Sequence, residues 1–213
     1  MTNHYQTAME GWKRKEGPHL INGRRVVKLP KMVIVMPPHS KLRQRETIWQ
    51  KGELKIAPNI FNLSDTVVYP HPKDMAQFEK AVLGTSIGGP SYDYPGSIGS
   101  IGLTFTSMTD KPHLLLRHIQ AHFKTKEGEY VLPRKLATKY GSWRIHALRE
   151  IFKMAAHHNL PIILASDAIL RHTIQGKRAV YVKDLETVAR EMKFEIGKHS
   201  TTFHPPEKKR RTK

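Results

Sequence analysis

The sequence predicts an α/β or α+β fold: a mixed sheet with one long helix packed on it, flanked by a basic N-terminal arm and a basic C-terminal tail. Three observations carry this expectation. Apolar side chains recur at helical spacing through the 140s and 150s, short β-type runs stand on either side of that stretch, and cationic residues gather toward both ends of the chain.

The elements follow in order. In residues 1–60, Pro, Gly and basic residues dominate, which reads as an arm. Within it Asn22-Gly23, between "HLI" and "RRVVKL", predicts a hairpin, and "KMVIVM" a further strand ended by Pro37-Pro38. Trp12, set among Lys13, Arg14 and Lys15, suits either stacking on bases or anchoring the arm to the core. Residues 72–84 predict a helix with Met75, Phe78, Ala81 and Val82 on its apolar face and Gly84 at its end. A glycine-rich connection leads to "SIGLTFTSM", whose Ile101, Leu103 and Phe105 alternate with Gly102 and Thr104 as in a strand. "KPHLLLRHIQAHF" predicts the next strand. Ser142 then caps the long helix, with Ile145, Leu148, Ile151, Phe152 and Ala155 as its stripe and Arg144, Arg149, Glu150 and Lys153 opposite. Asn159 and Pro161 end it. "IILAS" reads as an interior strand, Asp167 as the cap of a brief helix, "RAVYV" as a strand, Asp184 as the cap of "LETVAREM", and "KFEIG" as the last strand. The core domain is expected over 61–198, with residues 199–213 a disordered basic tail.

The 213 residues include 36 Lys and Arg, 18 Asp and Glu and no cysteine, for a net charge of +18. The lack of cysteine excludes disulfide scaffolds, thiol catalysis and cysteine-ligated zinc, and favours an intracellular setting. No apolar run approaches the ~20 residues that span a bilayer, and no secretory signal is visible, so no membrane role is expected. The charge is uneven. Residues 1–60 hold 12 basic and 4 acidic side chains, 61–130 hold 6 and 7, and 131–213 hold 18 and 7. Such a field attracts polyanions, of which nucleic acid, DNA or RNA, is the commonest.

The candidate sites are few. Glycines 96, 99 and 102 lack the Gly-Lys-Ser/Thr ending of a phosphate loop, and a strand follows them where a dinucleotide fingerprint needs a helix. They read as a connection, with Tyr92 and Tyr94 able to form a lid over a ligand. His118 and His122 lie four apart, but Ile119 stands where a zinc protease needs Glu, and on a strand the rings would be ~13 Å apart. No metal site is expected. The start of the long helix, with Lys139, Gly141 and Ser142, offers an anion-binding place. The residues expected to meet nucleic-acid phosphate are Lys13, Arg14, Lys15, Arg24 and Arg25 in the arm, Arg134, Lys135 and Lys139 before the long helix, and Lys208, Lys209, Arg210 and Arg211 in the tail.

From "IGLTFTS" through "HLLLRHI", the long helix, "IILAS" and "DLETVAREMKFEIG", roughly residues 98–198, the chain resembles the second half of a GNAT-superfamily acyltransferase. The resemblance is one of element order: a central strand, a helix whose N-terminus holds coenzyme A pyrophosphate, a strand, then a helix leading into a terminal strand. It implies acetyl coenzyme A at the Ser142 helix terminus. The family's loop before that helix carries Gln or Arg and spaced glycines; here "EYVLPRKLATKYGSW" has Gly141 as its one glycine. The tail "PPEKKRRTK" resembles a nuclear localisation signal, which implies a nuclear protein if the host cell has a nucleus and a cytoplasmic one otherwise. The expected function is non-specific nucleic-acid binding through phosphate, with an acyltransferase, degenerate or active, and a structural component of a larger assembly as alternatives. No cofactor is expected except acetyl coenzyme A under the second of these.

Overall fold

A computed structural model describes residues 4–38, 61–62, 65–83, 94–106, 112–121, 134–164, 180–197 and 201–207. The expected caps at Gly84 and Asp167 and the basic cluster Lys208 to Arg211 lie outside these residues. The chain divides into two compact units. The first comprises Met1–Ala57, Asn62–Leu103 and His118–Trp143; the second Pro58–Phe61, Thr104–Arg117 and Arg144–Lys213.

The first unit begins with helix α1 (His4–Trp12), followed by strands β1 (Gly17–Ile21), β2 (Arg24–Lys28) and β3 (Met32–Pro38). Strand β4 (Phe61–Asn62) is only two residues long; β5 (Thr66–Pro70), helix α2 (Pro72–Leu83) and β6 (Gly99–Thr106) come next. The hairpin at Asn22-Gly23 forms as expected. Both residues take positive φ, 50° and 72°, the conformation that matches a two-residue turn to the twist of its strands. The order β1-β2-β3-β5-β6 is antiparallel throughout. Every described residue of β5, and all of β3 except Pro38, is buried, so these strands are covered on both faces. Val26, Val33, Val35, Val67 and Tyr69 join Ala8 of α1, Ile21 and Met75 in one apolar cluster, with Trp12 packed against it. Trp12 thus anchors the start of the chain.

The second unit takes the first half of β7 (His113–Ala121), the body of helix α4 (Trp143–His157), β8 (Ile162–Leu164), helix α5 (Val180–Glu191), β9 (Glu195–Ile196) and β10 (Thr202–His204). Helix α3 (Arg134–Tyr140) belongs to the first unit. β7 and β8 are parallel, with Leu114 opposite Ile162 and Leu116 opposite Leu164. β10 lies between β8 and β9, antiparallel to both. The sheet is therefore mixed, as the sequence predicted. Helix α4 buries Ala147, Leu148, Ile151, Phe152 and Ala155, and Phe152 packs edge-on against Phe194 and Phe203. Both α4 and α5 end in the same left-handed cap. Asn159 and Lys193 take φ of 54° and 59°, and the next amides, of Leu160 and Phe194, reach back to the carbonyls of Ala155 and Ala189.

Four local expectations are corrected. "RAVYV" is not a strand: Val180 opens α5, because Leu185, Val188 and Ala189 make a helical stripe that outweighs the β preference of valine and tyrosine. Asp184 is consequently inside the helix, where it accepts from Arg144 Nε at 2.8 Å, and is not a cap. Glu150 is not on an open polar face; it is buried and answered by Lys153 at 2.6 Å. Residues 202–204 are not disordered: Phe203 is fully buried, and that burial holds β10 in place. Among the described residues no helix is long and apolar enough to cross a membrane.

Candidate functional site

The register of the first unit sets a row of polar side chains on the α1 side of its sheet. Val33 pairs Tyr69 and Val67 pairs Ser100, so Tyr69, Val67 and Ser100 share the face that carries Val33. Asp65, two residues before Val67, continues it. Arg24 enters from β2 at a point where the β2–β3 ladder shifts register, the kind of irregularity that re-aims a side chain. Helix α1 brings His4 and Tyr5 over the same face. The His4 ring meets Tyr94 edge-on at 5.0 Å, and Tyr5 meets Tyr69 at 6.3 Å.

Burial dominates the electrostatics here. It lowers the His4 pKa to about 4, with help from the positive charge of Arg24, against a smaller opposing effect of Asp65. It pushes the Tyr69 hydroxyl well above its ordinary value, with the neighbouring Tyr94 adding to the shift. It also lowers Arg24, offset in part by Tyr94 and Tyr69. At neutral pH the group therefore holds a neutral imidazole, a protonated phenol and a guanidinium that remains charged. The Tyr69 hydroxyl and His4 Nδ1 are buried and have no hydrogen-bond partner among the described residues.

Beside this group lie Asp65, Ser100 and His118. Asp65 Oδ2 and Ser100 Oγ both stand 3.5 Å from His118 Nε2. A serine relay needs its acid and its nucleophile on opposite ring nitrogens, so this trio is not assembled as one. The ring lies flat on Gly102: a Cβ at that position would sit 2.3 Å from His118 Cε1. Glycine 102 thus makes room for an imidazole, where the sequence suggested close approach of backbone.

A second polar knot joins α2 to α3. Asp74 Oδ2 accepts from Lys139 Nζ and from the Tyr140 hydroxyl, which itself accepts from the His71 amide at 3.0 Å. The charge of Lys139 is thereby spent on an internal carboxylate. Gly141 and Ser142 are exposed in the turn before α4.

The cations expected to meet phosphate divide into three sets. Lys13, Arg14 and Lys15 are exposed in the turn that leaves α1, and Arg134 and Lys135 are exposed at the start of α3; none of the five has a carboxylate partner among the described residues. The first turn is held by Lys28, whose Nζ donates to the carbonyls of Trp12 at 2.8 Å and Arg14 at 2.6 Å and lies 5.5 Å from the Trp12 ring centre. Arg24 and Arg25 are half-buried, and Arg24 faces the tyrosines. Lys139 is ion-paired. Among the described residues no three His, Asp or Glu side chains gather as a metal site; His118 lies on a strand, and His122 and Tyr92 lie outside the described residues.

His4, Asp65, Tyr69, Ser100 and His118 were not singled out by sequence reasoning. The available signal was parity: each strand residue of this set occupies an inward position of its strand, where an apolar side chain is the rule. No family model, curated protein or solved structure matches the chain.

Proposed function

We propose that this protein binds nucleic acid through its phosphates, without reading bases. The observation that supports the reading is the exposed trio Lys13, Arg14 and Lys15, free of internal carboxylates and fixed in place by Lys28. A fixed tribasic turn loses little entropy on meeting a phosphate chain, and Arg134 and Lys135 add a second contact. The net charge of +18 supplies attraction at a distance. The test is a salt titration of binding to plain duplex DNA and to single-stranded RNA. With about six phosphates neutralised, log K for duplex DNA falls with log salt at a slope near −5. Absence of affinity for both polymers at low ionic strength overturns the reading.

A second reading, a GNAT-like acyltransferase, is favoured by one observation. The parallel strands β7 and β8 are joined through α4, and α5 and β9 follow in the order that the resemblance implies. Acetyl coenzyme A would lie at the start of α4, by the exposed Gly141 and Ser142. At ~100 times its dissociation constant the coenzyme would add about 2.7 kcal/mol of stability. No thermal shift at millimolar coenzyme removes this reading.

A further inference from the structure

The group beneath the first turn of α1 has no part in the phosphate-binding reading, which rests on other, exposed residues. A folded protein seldom buries a phenol hydroxyl and an imidazole nitrogen without partners, and each such atom calls for a reason. Here two of them sit beside a desolvated arginine. The Tyr69 side chain is 0% exposed, and its hydroxyl meets no acceptor among the described residues. Arg24 is near enough to act on Tyr69 and His4 electrostatically, and Tyr94 closes on His4 at 5.0 Å. His4 also opens α1, a helix of nine residues whose first amides lack intrahelical acceptors and carry partial positive charge. Asp65 is the acidic side chain of the group, and His118 stands 3.5 Å from it on the other side.

We propose that Arg24, Tyr69, His4 and the first-turn amides of α1 form a binding site for a small oxyanion, a carboxylate or a phosphate group. The chemistry is that of converging donors. Arg24 supplies a fork that fits two anionic oxygens, Tyr69 an O–H, and the helix its free N–H groups. His4 in its neutral form adds a ring nitrogen able to donate. The site takes one anionic group, because Asp65 repels further negative charge.

The experiment uses the full chain. Sodium phosphate, sodium acetate and sodium chloride are titrated at matched ionic strength, followed by thermal shift and calorimetry. A saturable stabilisation by phosphate or by acetate, absent with chloride, is expected, and the arm that responds assigns the anion. Tyr69→Phe keeps the ring and removes the unpartnered hydroxyl. Its melting temperature without added anion should therefore stay level or rise, while anion affinity falls roughly tenfold, the loss of one hydrogen bond to a charged group. A merely structural tyrosine would lose stability and leave affinity alone. Arg24→Met should abolish the response. Replacing Lys13, Arg14 and Lys15 by Gln should leave it intact, which separates this site from the nucleic-acid surface. The proposal is overturned if neither anion gives a saturable shift, or if Tyr69→Phe binds the anion as tightly as the parent chain.

Discussion

The Tyr140 hydroxyl donates to Asp74 Oδ2 at 2.5 Å across 66 positions of sequence, and Lys139 donates to the same oxygen. Burial would raise the Asp74 carboxyl, but the hydrogen bonds from Lys139 and Tyr140 outweigh it and hold the pKa below its ordinary value. A carboxylate depressed in the folded state stabilises above its unfolded pKa, so this contribution is complete above about pH 4 and fades as pH falls further. Urea unfolding of Asp74→Asn should show a flatter stability profile in that acid window. Tyr140→Phe leaves the His71 amide without its acceptor and should cost about 1–3 kcal/mol.

His4 gives a second, separable window. Its folded pKa is about 4 against 6.5 for the free side chain, so the unfolded chain binds a proton that the folded one refuses. That contribution is complete above pH 6.5 and is lost progressively down to pH 4. It amounts to about 3 kcal/mol at most. Stability curves of His4→Gln should be flatter than those of the parent between these limits.

Gly99 and Gly102 predict a contrast. A Cβ on Gly99 would meet the Gln120 carbonyl at 2.5 Å and the Trp143 ring at 2.7 Å, and neither can move aside cheaply. A Cβ on Gly102 meets the His118 ring, which can swing away from Asp65 and Ser100. Gly99→Ala should cost the more, about 3 kcal/mol or above by overpacking. Gly102→Ala should cost less again when combined with His118→Ala. Chemical denaturation of the four variants decides it.

Lys193 holds the left-handed cap of α5 at φ 59°. Since a side chain there costs about 1 kcal/mol or more that glycine does not bear, Lys193→Gly should stabilise by about 0.5–1 kcal/mol. Lys193→Val should destabilise. Thermal melts are sufficient to see both signs.

The free and spent cations should behave oppositely. Gln at 13, 14 and 15 together should reduce the salt slope of duplex binding by about 3 and leave stability nearly unchanged. Lys139→Gln should leave the slope unchanged and lower stability, because it strips a partner from Asp74. Anisotropy titrations and urea melts on both variants are the check.

Local chemistry made much of the fold readable. Asn22-Gly23 specifies its turn, Met75 and Phe78 mark one face of α2, and Asn159 with Pro161 ends α4. The failures have physical causes. At Val180–Val182, local β preference opposed a helical stripe that only begins at Leu185. At Thr202–His204, one phenylalanine between polar residues is too short a pattern to declare a strand. The polar group under α1 was invisible for another reason. Positions 4, 24, 69 and 94 meet through helix docking and strand register, and neither is written in any local window. The exposed trio was legible, because a run of three basic residues after a helix is itself local; that Lys28 would hold it was not.

One consequence concerns synthesis. β10 lies between β8 and β9 although it follows both in the chain. While the ribosome is still adding residues 198–204, β8 and β9 have no strand between them, and the backbone groups of β8 that will meet β10 stand open. The meander of β1, β2 and β3 with α1, by contrast, is assembled within the first 38 residues. The two units should thus ripen at different moments of translation, and a stalled nascent chain would present a finished first sheet beside an unfilled slot.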